Sequence, residues 1–138
     1  MANSRILAIG IDGFDPLLVE RWIDDLPNIK KLINRGRMIP MDSVYPIDSA
    51  SAWASIYLSI NPAKHGIISH LDYFELEKMR SSGITEQGSI LRGKTFWDIL
   101  SSLGKKVAVI NPFSAYPAWQ VNGVMVSGPF FKGGDVSC

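Results

Sequence analysis

Short apolar runs and helical stripes alternate along the chain. Residues 5–11 (RILAIGI) form a nearly continuous apolar run, and the Asp12-Gly13 turn signal follows it. This pattern predicts a strand buried on both faces. Residues 37–44 predict a second strand, at a sheet edge or bulged because Pro40 has no N–H to donate to a ladder. Two later apolar runs predict further strands, at residues 107–110 and 124–127.

Apolar residues at helical spacing predict helices between these strands. Pro16 and Pro27 are suited to the first position of a helix, and Gly36 is suited to end the second one. A third helix is predicted over residues 49–60 (SASAWASIYLSI), and residues 95–98 (TFWD) resemble a capping box that opens a fourth. Strands that alternate with helices indicate an α/β fold, with a largely parallel sheet flanked by helices.

The length of 138 residues suits a single α/β domain over residues 1–138. Residues 72–93 are polar and weakly periodic, so we expect an insertion above the sheet there.

The composition excludes several classes of protein. With 14 basic and 13 acidic residues, the chain has no charge excess to recruit polyanions, so we expect no nucleic-acid-specific surface. Cys138 is the single cysteine and cannot form an intramolecular disulfide. The apolar runs fall far short of the roughly 20 residues of a membrane helix, so we expect a cytoplasmic protein without a membrane partner.

Two side chains fall where ligands bind in α/β proteins, at the carboxyl ends of strands and at the start of a helix. Asp12 directly follows the first predicted strand, where a carboxylate can hold a cation or simply cap the turn toward Pro16. Ser49 opens the third predicted helix, where a hydroxyl can act as a nucleophile or as an N-cap. Asp48 and Ser51 can provide the same cap, so position alone does not single out Ser49.

Both histidines lie close together, at His65 and His70, without the spacing of a helical metal motif. His65 with Gly66 predicts a structural turn, and the role of His70 stays open. Neither a dinucleotide or phosphate-loop fingerprint nor a Gly-x-Ser-x-Gly nucleophile elbow is present.

Four segments in the correct order resemble the alkaline phosphatase superfamily, and more narrowly its type I phosphodiesterase/nucleotide pyrophosphatase branch. The first joins residues 7–13 (LAIGIDG) to residues 26–29 (LPNI). The second, residues 46–55 (PIDSASAWAS), resembles the nucleophile segment of that branch. The others are residues 61–67 (NPAKHGI) and a downstream segment that contains residues 111–117 and 121–128.

The resemblance implies roles for individual residues. Asp12 matches the first metal-ligand aspartate, and Ser49 matches the nucleophile that also contacts metal and forms a covalent phospho-enzyme. His70 stands where nucleotide pyrophosphatases place a phosphate-contacting asparagine. Family members hold two metal ions, usually zinc, and their remaining ligands lie in the C-terminal half. We therefore expect the N-terminal part of an alkaline-phosphatase-like fold, with at most a partial metal site and little activity of its own.

The predicted function is that of a metal-dependent phosphoester hydrolase, of phosphodiesterase or nucleotide pyrophosphatase type, acting on a small phosphoester. A sulfatase is disfavoured because residues 49–53 lack the proline and arginine of that motif. Two alternatives stay open. One is a phosphotransferase or mutase of the same superfamily. The other is a non-catalytic, truncated α/β module that forms a homo-oligomer to cover exposed apolar surface.

Overall fold

A computed structural model describes residues 5–69, 78 and 90–128. The chain divides into two compact units, Met1–Asp42 and Ser43–Cys138.

The first unit is helical and follows the predicted start and stop signals. Helix α1 (Pro16–Arg21) begins at its proline, and Asp15 caps it by accepting a hydrogen bond from the Leu17 N–H at 2.8 Å. A short 3₁₀ turn (Ile23–Asp25) leads into helix α2 (Pro27–Arg35), which again begins at proline. Gly36 ends α2, and its N–H donates to carbonyls of the last turn. The proline signals therefore mark the start of both helices, and the glycine signal marks the end of α2.

The described residues of the second unit include three further helices and the strands. Helices α3 (Ser49–Leu58) and α4 (Pro62–His65) follow one another closely, and helix α5 (Phe96–Ser102) comes after the segment 90–94. The predicted capping box of α5 is confirmed. The Asp98 N–H donates to the Thr95 hydroxyl, and the Asp98 carboxylate accepts from the Thr95 N–H at 3.0 Å.

Strands β1 (Val107–Ile110) and β2 (Gly123–Val126) form a parallel pair in which Val107 lies opposite Gly123. Parallel strands require a crossover, and residues 111–122 supply it. Helices with a parallel pair of strands confirm the α/β class.

Aromatic residues organise the core of the second unit. The Tyr57 and Trp97 rings meet edge to face with centroids 4.9 Å apart, and Trp119 stacks on Trp97 at 6.2 Å. Such pairs add about 0.5–1.5 kcal/mol each beyond the area that they bury. The buried cluster around them is Ala50, Ala54, Tyr57, Ile67, Leu91, Trp97, Ala115, Trp119 and Met125.

The prediction of a largely parallel sheet is wrong for the described residues, since their sheet has two strands, β1 and β2. Residues 5–11 form no strand, and the side chains of Ile6 and Leu7 are 93% and 84% exposed. Residues 37–44 form no strand either. An apolar run becomes a strand only when a neighbouring strand accepts and donates its ladder hydrogen bonds. The described part of Met1–Asp42 contains no strand that could form these hydrogen bonds with residues 5–11.

Most of the predicted insertion at 72–93 lies outside the described residues. Across the part of the chain that is described, none of the helices combines the length and apolar character of a membrane span.

Candidate functional site

The N-terminus of α3 places Ser49 at the first helical position. The preceding residue, Asp48, has extended backbone angles, φ −152° and ψ 141°, and is the N-cap. Its carboxylate oxygen Oδ1 accepts a hydrogen bond from the Ala50 N–H at 2.8 Å. The capping role that the sequence left open among three residues therefore belongs to Asp48, and Ser49 stands half-buried beside it. A hydroxyl here lies next to backbone N–H groups and the positive end of the helix dipole.

Ser51 differs sharply from Ser49 although only two residues separate them. The Ser51 side chain is 0% exposed, and its hydroxyl has no hydrogen-bond partner among the described residues. Ala50, between the two serines, is also buried. Ser49 is therefore partly exposed to solvent, whereas Ser51 is not. This contrast makes Ser49 the better candidate for a nucleophile on α3.

The cap itself bears on anion binding at this helix end. The Asp48 carboxylate occupies the Ala50 N–H, one of the donors that an incoming phosphate would use. A carboxylate at this place also repels a second anion. Binding of phosphate beside Ser49 therefore requires the Ala50 N–H to be shared with Asp48 or released from it.

Asp12 lies in a turn of the first unit, together with Gly13. Gly13 has φ +66°, and the Asp15 N–H donates to the Gly13 carbonyl at 2.9 Å. The N-cap of α1 is Asp15, and Asp12 lies in the turn that precedes it. The Asp12 side chain is exposed. Asp12 belongs to the unit Met1–Asp42 and Ser49 to the unit Ser43–Cys138.

Potential metal ligands are not clustered in the part of the chain that the structure describes. Among residues 5–69, 78 and 90–128, no three His, Cys, Asp or Glu side chains are grouped so as to hold a metal ion. A zinc site in a protein is almost always four-coordinate, and a catalytic one takes three ligands from the protein. The Asp12 carboxylate and the Ser49 hydroxyl each offer an oxygen donor that suits a cation.

The structural turn predicted at His65 and Gly66 is confirmed. It is the last residue of α4, and Gly66 follows with φ +76° as the C-cap. Its Nδ1 accepts a hydrogen bond from the Ile67 N–H at 3.1 Å, and its Nε2 lies 2.9 Å from the Ser55 hydroxyl on α3. Burial lowers the pKa of His65 below its usual value. His70, the predicted phosphate contact, lies outside the described residues.

The Ser55–His65 pair was not predicted from the sequence. The two residues are ten positions apart and belong to different helices. The one local signal is that Ser55 is four residues after Ser51, the spacing at which a serine hydroxyl can bond back to its own helix.

Tyr57 anchors α3 to the segment that leaves β1. The Phe113 N–H donates to the Tyr57 hydroxyl at 3.0 Å, and Phe113 follows the carboxyl end of β1 at Ile110 by three residues. Burial raises the pKa of Tyr57 to about 12, so this hydroxyl stays protonated near neutral pH. Ser49 begins the same helix eight residues earlier, about 12 Å along its axis.

The second unit is thus of the α/β class, with a parallel strand pair and a helix, α3, that begins at a half-buried serine. Comparison with models of protein families narrows this class to one family. The chain belongs to the type I phosphodiesterase / nucleotide pyrophosphatase family, whose sequence pattern matches residues 6–131. The resemblance noted from four short segments is therefore confirmed over most of the chain. Searches of curated proteins and of solved structures returned no match.

Proposed function

We propose that this chain carries the nucleophile region of a metal-dependent phosphoester hydrolase, of phosphodiesterase or nucleotide pyrophosphatase type. Ser49 is the nucleophile, and Asp12 is one ligand of a pair of zinc ions. Membership of the family supports a phosphoester hydrolase at the level of the family. The observation that carries the assignment to Ser49 is its place as the half-buried first residue of α3, beside a Ser51 that solvent does not reach.

The chemistry proposed for Ser49 is a displacement at phosphorus. Its Oγ forms a new bond to the phosphorus atom, the bond from phosphorus to the leaving oxygen breaks, and the hydroxyl proton passes to solvent. Water then cleaves the phosphoserine and restores the hydroxyl. Backbone N–H groups at the start of α3 stabilise the charge on the non-bridging oxygens. Because Asp48 holds the Ala50 N–H, the bound phosphate shares that donor or displaces the carboxylate from it.

Covalent labelling tests the nucleophile without requiring turnover. The chain is incubated with bis(4-nitrophenyl) phosphate, with and without Zn²⁺, and the adduct is located by peptide mass spectrometry. We expect a phosphoryl adduct on Ser49, together with slow steady-state release of 4-nitrophenolate because the described donors are too few for a full metal centre.

Two serine variants sharpen this experiment. Ser49→Ala should abolish the adduct, whereas Ser51→Ala should retain it. Ser51→Ala is a matched control because it removes a buried hydroxyl without a described partner, so little stability is lost. An adduct on another serine, or no adduct under any metal condition, would refute Ser49 as the nucleophile. Rapid zinc-dependent turnover by the chain would refute the incomplete metal centre.

One observation favours the second candidate, a non-catalytic module that self-associates. Ile6, Leu7 and Ile9 in the run 5–11 are all more than two-thirds exposed. Adjacent exposed apolar side chains promote association. Sedimentation of the wild-type chain and of a Leu7→Lys variant, combined with the labelling experiment, separates the two candidates. Association that Leu7→Lys abolishes, without any adduct on Ser49, would favour the module.

A further inference from the structure

A serine and a histidine face one another where α3 and α4 meet. The Ser55 Oγ and the His65 Nε2 lie 2.9 Å apart. At this distance a histidine that accepts the serine proton would activate the hydroxyl as a nucleophile. The direction of the hydrogen bond therefore decides what the pair does.

The neighbouring hydrogen bonds determine that direction. The Ile67 N–H donates to His65 Nδ1 at 3.1 Å, so Nδ1 carries no proton. The Ser55 hydroxyl donates its proton to the Ser51 carbonyl at 2.9 Å. The neutral imidazole then carries its proton on Nε2 and donates it to the Ser55 Oγ. Ser55 consequently keeps its own proton and is not an activated nucleophile.

We propose that His65 is a positioning residue for the helix that carries Ser49. In the Nε2–H form, its ring ties the buried residue Ile67 to Ser55 and, through Ser55, to the Ser51 carbonyl. Ser55 lies six residues from Ser49, about 9 Å along the helix axis. Ile67 is 1% exposed and belongs to the core cluster, so the far end of this network is held in the core. The inference rests on the function proposed for Ser49.

Protonation of the ring breaks this network. In the imidazolium form Nδ1 also carries a proton, which points at the Ile67 N–H and leaves two donors facing one another. Helix α3 presents no charged side chain to the ring, and its titratable group, Tyr57, stays protonated with the Phe113 N–H bonded to it. On α4 the charged neighbour is Lys64, whose side chain is exposed.

The sign of the pH dependence follows from burial, which lowers the pKa of His65 in the folded chain. The unfolded chain, with an ordinary histidine pKa of about 6.5, binds the proton more readily. The stability that the network contributes is therefore present above pH about 6.5 and is lost as the pH falls from there through the lower folded pKa.

Nuclear magnetic resonance of the wild-type chain tests the assignment directly. The chain has two histidines, so a His70→Gln variant identifies the His65 ring signals. We expect the Nε2–H tautomer for His65, with a titration midpoint below about 6.5. The amide signals of Ile67, Ser49 and Ala50 should follow that midpoint. An Nδ1–H tautomer, a midpoint at or above about 6.5, or unmoved Ser49 and Ala50 signals would each overturn the proposal.

A Ser55→Ala variant tests the route from His65 to α3. It removes the acceptor of the Nε2–H and leaves the Ile67 bond in place, so the Ile67 amide should still titrate while the Ser49 amide no longer does. The His70→Gln variant, the matched control, should keep both responses. If the Ser49 amide still follows His65 in Ser55→Ala, the proposed route is wrong.

The resonance measurements need no catalysis, so they test the positioning role of His65 separately from the nucleophile role of Ser49. A missing adduct on Ser49 with normal titration refutes the hydrolase and not the tautomer. An adduct on Ser49 whose amide ignores His65 refutes the positioning role alone.

Discussion

Replacing Gly123 by alanine should disrupt the parallel strand pair. Gly123 opens β2 opposite Val107 of β1 and has φ +151°. A Cβ at this position would overlap the Val107 carbonyl oxygen and lie 2.9 Å from the Val107 carbonyl carbon. Both of these atoms are backbone, so the conflict cannot be relieved by the rotation of a flexible side chain.

Two costs combine in Gly123→Ala. Overpacking against an ordered neighbour costs about 1–3 kcal/mol. A left-handed backbone conformation at a non-glycine residue costs about another 1–3 kcal/mol. Together they predict a loss of about 2–6 kcal/mol in the free energy of unfolding. Small domains are stable by only about 5–15 kcal/mol, so a substantial fraction of Gly123→Ala should be unfolded.

Urea denaturation followed by tryptophan fluorescence measures this loss. Gly128→Ala is a matched control because its added Cβ meets no described residue within 4 Å and its φ lies outside the left-handed region. We expect Gly128→Ala to stay within about 0.5 kcal/mol of wild type. A Gly123→Ala variant as stable as Gly128→Ala would refute the close approach of β1 and β2 at this position.

Three further substitutions test other parts of the structure. Tyr57→Phe removes the hydroxyl that accepts the Phe113 N–H and should lower the free energy of unfolding by about 1–3 kcal/mol in urea denaturation. The control Tyr45→Phe, at a residue that is 89% exposed, should leave that free energy almost unchanged. Equal effects of the two variants would contradict the anchoring role of Tyr57. Asp48→Asn retains a good N-cap and removes a negative charge, whose repulsion of a phosphate is worth about 1 kcal/mol at about 4 Å in water. Inorganic phosphate should therefore bind up to about fivefold more tightly, in a titration followed by the amide signals at the start of α3. Unchanged or weaker binding would mean that phosphate does not use this helix end. Asp12→Asn should reduce the zinc retained by the chain in elemental analysis, and an unaltered zinc content would restrict Asp12 to a role in its turn.

Much of the local structure could be predicted from the sequence. The prolines that begin α1 and α2, the glycine that ends α2 and the capping box of α5 all lie where the sequence signals place them. Each signal acts through hydrogen bonds or backbone angles within about four residues, so a single stretch of sequence contains all that is needed.

The candidate site could be predicted only in part. The family pattern and the helix start single out the region of Ser49, but the sequence left the cap open among Asp48, Ser49 and Ser51. The structure assigns the cap to Asp48 and buries Ser51 completely. Burial depends on residues far along the chain that pack against α3, which no local pattern reports.

The apolar run at residues 5–11 shows the same limit. Its composition is that of a strand, yet Ile6 and Leu7 are exposed and no ladder forms there in the structure. Trp22, a large aromatic residue at the end of α1, is 52% exposed. A strand needs a partner edge and a core residue needs neighbours, and both are contributed by segments remote in sequence.

The sequence by itself determined the α/β class, the ends of several helices and the family, because caps, periodicity and motif spacing are properties of short segments. Only the tertiary structure decided which serine of α3 is fully buried, which proton the His65 ring carries and which glycine β1 and β2 require. These features depend on contacts between residues far apart in the chain, and such contacts exist only once the chain has folded.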